Sequence, residues 1–467
     1  MNGYHEFLSR KLVRVPPTGI QHAGAIRLVD GLFDFQDALV RWALRRGRAA
    51  IFADTGLGKS RMQIAWADAV HRETGYDVLI LAPLAVAAQT AAEGESIGIA
   101  VRQCRDGSEV LPGITITNYD RLHRFDAARF GAVVLDESSI IKHGGSKTLA
   151  MLLDLFAATP FKMCATATPA PNDWTELGTH AEFLGICSQV EMLAEYFVHD
   201  GGETQTWRLK GHARGHFWRW VSSWAAMVRS PADLGFDGSR YSLPPLIVDQ
   251  HTVAGGDHDS DATGMLFALE ANTLSERRCA RKASLASRVA ACADAVNSDR
   301  QPWVVWCDLN AEADALRAAI PDAVEVRGSD DADVKESRLM DFASGRVRVL
   351  ISKPSICGWG LNWQHCARMA FVGVTDSWEA YYQAVRRCWR FGQKREVHVH
   401  IFASELEGAV VSNLKRKERD AKSMADALSA ETRDAVMSEV TGVTRESNTY
   451  NAATAVSIPA WLVTEAA

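Results

Sequence analysis

Through the first 180 residues, short unbroken apolar runs alternate with stretches whose apolar positions recur every three or four residues. The runs "AAIF" (49–52), "DVLILAP" (77–83), "GITITN" (113–118), "AVVLDE" (132–137) and "KMCATAT" (162–168) have the length and branching of strands buried on both faces. "KSRMQIAWADAVHRE", from Lys59, has the spacing of a helix. This alternation predicts an α/β fold, a parallel sheet covered by helices, with any ligand gathered at the carboxyl ends of the strands. The pattern recurs in "WVVWCD" (303–308), "AVEVRG" (323–328), "VRVLISK" (347–353), "RMAFVGV" (368–374) and "EVHVHIFA" (396–403), which predicts a second α/β domain.

The two halves are separated by a stretch of different character. "TWRLKGHARGHFWRWVSSWAAMVRS" (206–230) is rich in Trp and Arg and has no acid, and a connector with Pro and Gly follows it. The expected organisation is an N-terminal extension (1–24), a first lobe (25–180), a mostly helical insert with its connector (181–270), a second lobe (271–425) and a loosely packed tail (426–467).

The composition narrows this picture. A chain of 467 residues is too long for one ordinary core, and 47% hydrophobic with 23% charged residues is a soluble, globular balance. A net charge of −6 gives no overall pull toward nucleic acid, so such contact needs a local basic surface. Nine dispersed cysteines without a CxxC pair read as reduced thiols. The N-terminus does not suit a secretory signal, and no 18-residue apolar stretch occurs, so the expected location is cytoplasmic.

The chemistry begins at "ADTGLGKSR", between a strand and a helix. Gly56 and Gly58 let backbone amides turn toward a β-phosphate, Lys59 adds a point charge, and Ser60 offers a hydroxyl to Mg²⁺. Thr55, Leu57 and Arg61 complete the loop as nucleotide-binding candidates. "AVVLDESS" ends a buried strand in Asp136 and Glu137. The pair reads either as an acid couple at a helix start or as a Mg²⁺ ligand acting through water (Asp136) beside a base for the attacking water (Glu137). "HVH" (398–400) is read as strand alternation in preference to a metal pair.

These pieces and others stand in an order that resembles superfamily-two helicases, particularly the Swi/Snf-like double-stranded-DNA translocases. "FDFQDALVRWAL" resembles the adenine-reading segment, and "LILAPLAVAAQ" the motif touching the nucleic-acid backbone at Pro83. "ATATPAPN" is similar to the coupling motif, with Thr166 and Thr168. "ISKPSICGWGLNWQHC" matches the glycine-bearing motif at Gly360, Leu361 and Asn362, and "QAVRRCWRFGQ" the arginine motif at Gln383, Arg387, Arg390, Gly392 and Gln393. The resemblance implies two tandem RecA-like lobes with ATP and Mg²⁺ in the cleft between them. It further implies Gln36 on the base, Gly360 and Gln383 near the nucleotide, Asn362 on the nucleic acid, and Arg387 and Arg390 on the phosphates. The sequence departs from the pattern at Ser138-Ser139 in the acidic box and at Trp389, where relatives usually carry histidine.

Two readings of the insert stay open. In one, Arg208, Lys210 and Arg214 hold phosphates while Trp218 stacks on bases. In the other, the tryptophans pack the insert onto the first lobe and the cations are solvated. The expected function is an ATP-dependent DNA helicase or translocase of compact, bacterial or phage type. An RNA helicase and a slowly hydrolysing, nucleotide-switched clamp are the alternatives.

Overall fold

The computed structural model describes residues 15–83, 86–171, 173–199, 207–253, 281–357, 362–373 and 377–404, together with residues 416, 419 and most of 429–441. The first-half strands are β1 (Arg48–Ala53), β2 (Asp77–Ala82), β3 (Val101–Gln103), β4 (Ile114–Asn118), β5 (Phe130–Asp136) and β6 (Phe161–Thr166). A hairpin, β7 (Phe197–His199) and β8 (Trp207–Leu209), and then β9 (Ala225–Val228) follow. The second half contributes β10 (Leu246–Val253), β11 (Trp303–Cys307), β12 (Ala323–Val326), β13 (Val349–Ser352), β14 (Arg368–Val372) and β15 (Val397–Ser404). All ten strands predicted from the apolar runs are present.

With β3, β9 and β10 they form two parallel sheets, ordered β3-β4-β2-β5-β6-β1-β9 and β10-β15-β14-β11-β13-β12, the expected pair of tandem RecA-like lobes. Strands such as β2 and β5 are buried nearly end to end because helices cover both faces. In lobe 1 the helices Asp34–Arg46 and Lys59–Thr74 cover one face, burying Trp42 and Trp66. In lobe 2, Arg288 is fully buried and donates to Glu312 at 2.8 Å. The same carboxylate accepts from the amides of Asp308 and Leu309, which fixes the turn after β11.

The stretch 181–270 is not a separate insert throughout. Its strand β9 pairs with β1 and completes the first sheet, whereas β10 pairs with β15 as an edge of the second. Backbone groups in such runs find hydrogen-bonding partners by joining a sheet, so these two segments of the stretch are absorbed by the lobes. The extension is also partly absorbed, because Ile20 and Ala23 join the core of lobe 1. In the tail, Val436 and Val440 lie in that core as well, at 1% and 5% exposure. The described part of the tail is therefore well packed, because its apolar side chains fill a face that lobe 1 leaves uncovered.

Candidate functional site

A cavity of about 350 Å³ opens between the lobes at the carboxyl ends of β1 and β5. From lobe 1 it is lined by Gln36, Thr55, Gly56, Gly58, Lys59, Ser60, Arg61, Asp136 and Glu137, and from lobe 2 by Gln383, Arg387 and Arg390. The loop between β1 and the helix from Lys59, the candidate phosphate loop, takes its shape from two glycines with positive φ, Gly56 at 92° and Gly58 at 79°. A Cβ at Gly58 would meet the Gln36 amide at 2.2 Å, and one at Gly56 would meet Phe391 of lobe 2 at 2.9 Å. These positions thus need glycine for both backbone angle and space. Lys59 Nζ donates to the carbonyls of Ala53 at 2.9 Å and Asp54 at 3.4 Å. Desolvation lowers its ammonium pKa, against the nearby Glu137, Asp54 and Asp136, and Arg390 lowers it further. A lobe 2 cation therefore acts on the lobe 1 lysine.

Asp136, at the end of β5, accepts from Gln63 Nε2 at 2.7 Å. Burial pushes its carboxyl up to about 6, with Glu137 adding to the effect and the Gln63 bond and Lys59 opposing it. A carboxylate that is costly to ionise in isolation gains from a neighbouring cation. With the Ser60 hydroxyl it makes an all-oxygen set, which suits Mg²⁺, so the residues present fit that ion.

Glu137 has φ 54° and ψ 54°, the single positive-φ residue other than glycine among those described. Such a backbone costs on the order of 1–3 kcal/mol and persists where surrounding contacts impose it. Here Thr166 Oγ1 donates to Glu137 Oε1 at 2.6 Å. Thr168 N donates to Thr166 Oγ1 at 3.1 Å, and Gln383 Nε2 of lobe 2 donates to Thr168 Oγ1 at 3.4 Å. Arg387 in turn donates to Gln383, through Nε to the main-chain carbonyl at 3.0 Å and through Nη2 to Oε1 at 3.1 Å. An unbroken hydrogen-bond chain thus runs from the acid of one lobe to an arginine of the other. Behind Glu137, the Ser138 hydroxyl and the Nε2 of buried His180 lie 3.1 Å apart, so the serine of the acidic box is engaged within lobe 1.

Desolvation pushes Arg387 down to about 10 and Arg390 down to about 9, and for Arg390 the nearby Arg387 adds to the effect. Two guanidiniums that disfavour each other's charge in a shared cleft make a site that gains from a polyanion.

Several contributors escape sequence reasoning. Phe33, Tyr241 and Phe391 form an aromatic wall of the cavity, with Tyr241 and Phe391 stacked at a centroid distance of 4.7 Å. They come from a helix start, the connector and lobe 2, so no local pattern marks them. Arg386 Nη2 reaches Asp54 Oδ2 at 2.7 Å, and the Tyr382 hydroxyl donates to Asp54 Oδ1 at 2.9 Å. Both contacts join lobe 2 to the phosphate loop. Lys142 and Glu379 make a further ion pair between the lobes. Trp389 packs its ring against the Arg386 guanidinium and donates from Nε1 to Pro244 O at 2.7 Å.

Other sequence candidates lie elsewhere. Leu57 turns its side chain into the core and presents its carbonyl to Gln36 Nε2 at 2.9 Å. Asn362, expected on nucleic acid, lines the cavity shared with Lys59. Gly360 and Leu361 lie outside the described residues. Pro83 lines a second cavity of about 420 Å³ with Asn118, Ser139, Lys142, Lys335 and Ser355, and Glu137 borders both cavities. In the insert, Trp218 is 1% exposed and packs on Trp174 and Phe217. It has no face to offer a base, which corrects the stacking reading. Lys210 donates to the carbonyls of Ala194 and Glu195, closing a helix end, and Arg214 lies 6.0 Å from the Trp174 ring. Arg208 is exposed. None of these four insert residues lines either cavity.

No family model matches the chain, and no curated protein does. Among solved structures the chain is similar to the Sulfolobus solfataricus SWI2/SNF2 ATPase core in complex with dsDNA. The two are 16% identical over 88% of this chain and 97% of that one, with a TM-score of 0.40. Among the described residues, no helix is long and apolar enough to cross a membrane.

Proposed function

We propose that the chain is a DNA-dependent ATPase that binds ATP with Mg²⁺ in the interlobe cavity and couples hydrolysis to movement of the lobes along duplex DNA. The observation that carries this reading is one cavity jointly lined by Lys59, Asp136 and Glu137 from lobe 1 and Gln383, Arg387 and Arg390 from lobe 2. Lys59 and the amides of the phosphate loop hold the phosphates, and Ser60 and Asp136 hold Mg²⁺, which neutralises phosphate charge when bound. Phe33, Tyr241 and Phe391 enclose the base, and Gln36 lies at its edge.

Glu137, held by Thr166, orients the attacking water and takes its proton. Arg390 and Arg387 offset charge that develops on the transferred phosphate. The bond chain through Thr166, Thr168 and Gln383 makes the position of Glu137 and the closure of the lobes one event. Closure moves a track only if the two states grip it differently. The second cavity, bordered by Pro83 and Lys335 on separate lobes and by Glu137 itself, supports a strand-contacting role for that face.

The test is steady-state ATPase activity with duplex DNA, single-stranded DNA or RNA. Stimulation by duplex DNA, falling as salt rises, is expected. Stimulation by RNA alone would favour an RNA helicase. Turnover indifferent to all three, with strong ATP-dependent retention on DNA, would favour a clamp.

A further inference from the structure

The edge of the second sheet carries a cluster unconnected with the nucleotide cavity. β10 pairs in parallel with β15 so that Asp249 lies beside His400, Ile247 beside His398 and His251 beside Phe402. Side chains two apart on a strand share a face, and so do paired neighbours. Asp249 and His251 of β10 therefore face the same way as His398 and His400 of β15. Ligand atoms of Asp249, His398 and His400 all lie within 4.8 Å of one another. Asp249 Oδ2 is 3.9 Å from Nδ1 of each of the two histidines, and His251 Nε2 is 3.0 Å from His400 Nδ1.

We propose that this cluster is a binding site for a divalent transition-metal ion, zinc-like in preference, held by Asp249, His398 and His400, with His251 as the fourth donor. Donor atoms around a tetrahedral ion with bonds of about 2.0–2.1 Å lie roughly 3.3 Å apart. The observed 3.0 Å and 3.9 Å separations bracket that value, and rotation of exposed or half-buried side chains closes the remainder. Imidazole-rich donors favour Zn²⁺, Co²⁺ or Ni²⁺ over Mg²⁺, which prefers oxygen.

The surroundings orient two of the rings and leave room for small rotations. His400 packs 5.3 Å from the Trp303 ring, and His251 stacks on Phe402 at 4.7 Å. The neighbouring cation, Arg368, donates from Nε to Asp299 at 3.4 Å, so its charge is partly offset. The ion would clasp β10, the strand that arrives from lobe 1, to the sheet of lobe 2.

The experiment takes the full chain, stripped with a chelator, and titrates it with Co²⁺ in excess Mg²⁺ while recording visible absorption. One bound equivalent with ligand-field bands and no thiolate charge-transfer band is expected, displaced by Zn²⁺. His398→Gln combined with His400→Gln should abolish it. Asp249→Asn should weaken binding by more than the roughly 10–100-fold that loss of a supporting partner outside the ligand set costs. Circular dichroism checks that each variant is folded, and His251→Gln, at an exposed position, gives a milder test of the same loss. Absence of binding by the native chain, equal binding by the double variant, a thiolate band, or displacement by Mg²⁺ would each overturn the proposal. None of these outcomes bears on the nucleotide cavity.

Discussion

The two walls of the interlobe cavity are built differently. On the lobe 1 wall each working group is held from within its own lobe: Lys59 by Ala53, Asp136 by Gln63, Glu137 by Thr166. On the lobe 2 wall, the arginine segment takes its bearings partly from across the cleft, through Gln383 on Thr168 and through Arg386 and Tyr382 on Asp54. One wall is thus held from within and the other is tied across the cleft. On the proposed ATPase reading, the difference teaches where control resides: the chemistry is prepared in lobe 1, and lobe 2 decides when it proceeds.

The largest effect should come from setting one wall directly against the other. Glu137→Gln should retain nucleotide binding and lose nearly all turnover. Arg390→Ala should lower turnover roughly 10³-fold or more, with a modest loss of affinity. Nucleotide-binding and single-turnover measurements on both variants check this. Loss of affinity in the glutamine variant, or normal turnover in the alanine variant, would remove the distinction between the walls.

A smaller effect should follow from the bridge between them. The Arg386–Asp54 pair is largely shielded, with side-chain exposures of 7% and 21%. Arg386→Ala should slow turnover about tenfold, equivalent to about 1.4 kcal/mol. A double-mutant cycle with Asp54→Ala should show the two losses to be non-additive. Additive losses would mean that the bridge plays no part in closure.

The smallest effect on turnover should come at His180, where a change leaves activity near neutral pH intact and appears only in acid stability. Burial holds His180 neutral, its pKa lowered from 6.5 to about 4, with bonds to Glu176 and Ser138 opposing the shift. As pH falls through 6.5 the unfolded chain takes up a proton that the folded chain refuses until about pH 4. The stability is therefore complete above pH 6.5 and declines between 6.5 and 4, by up to about 3 kcal/mol. Denaturant unfolding of His180→Gln across that window should show a correspondingly flatter acid limb. Parallel profiles for the two proteins would show that the imidazole takes up its proton at the same pH in the folded and unfolded chains.

Much of this architecture was legible in local pattern. The ten apolar runs became strands because each is long enough to be buried on both faces. Lys59, Ser60, Asp136 and Glu137 were legible because they stand in turns directly after strands. Gln383, Arg387 and Arg390 were legible only through the resemblance of "QAVRRCWRFGQ" to the arginine motif, and all three line the cavity. What escaped is non-local. Asp54 and Arg386 are 332 positions apart, and nothing near either one announces the other. β9 is a run of four residues and β10 a strand that includes polar positions, and the strand character of both comes from the sheets they join. The pairing of Asp249 with His400 depends on a parallel register, which turns the unremarkable alternation of "HVH" into half of a cluster. The tryptophans of the insert were ambiguous because bases and protein cores recruit the same rings.

The placement of Val436 and Val440 in the core of lobe 1 has a mechanical consequence. β15 ends at Ser404 in lobe 2, so the polypeptide spans the gap twice, once before β10 and once after β15. The chain is therefore laced through both lobes in the order first, second, first. On the proposed reading, lobe 2 works as a loop returned to its starting body, and its far end is anchored by apolar side chains inside lobe 1.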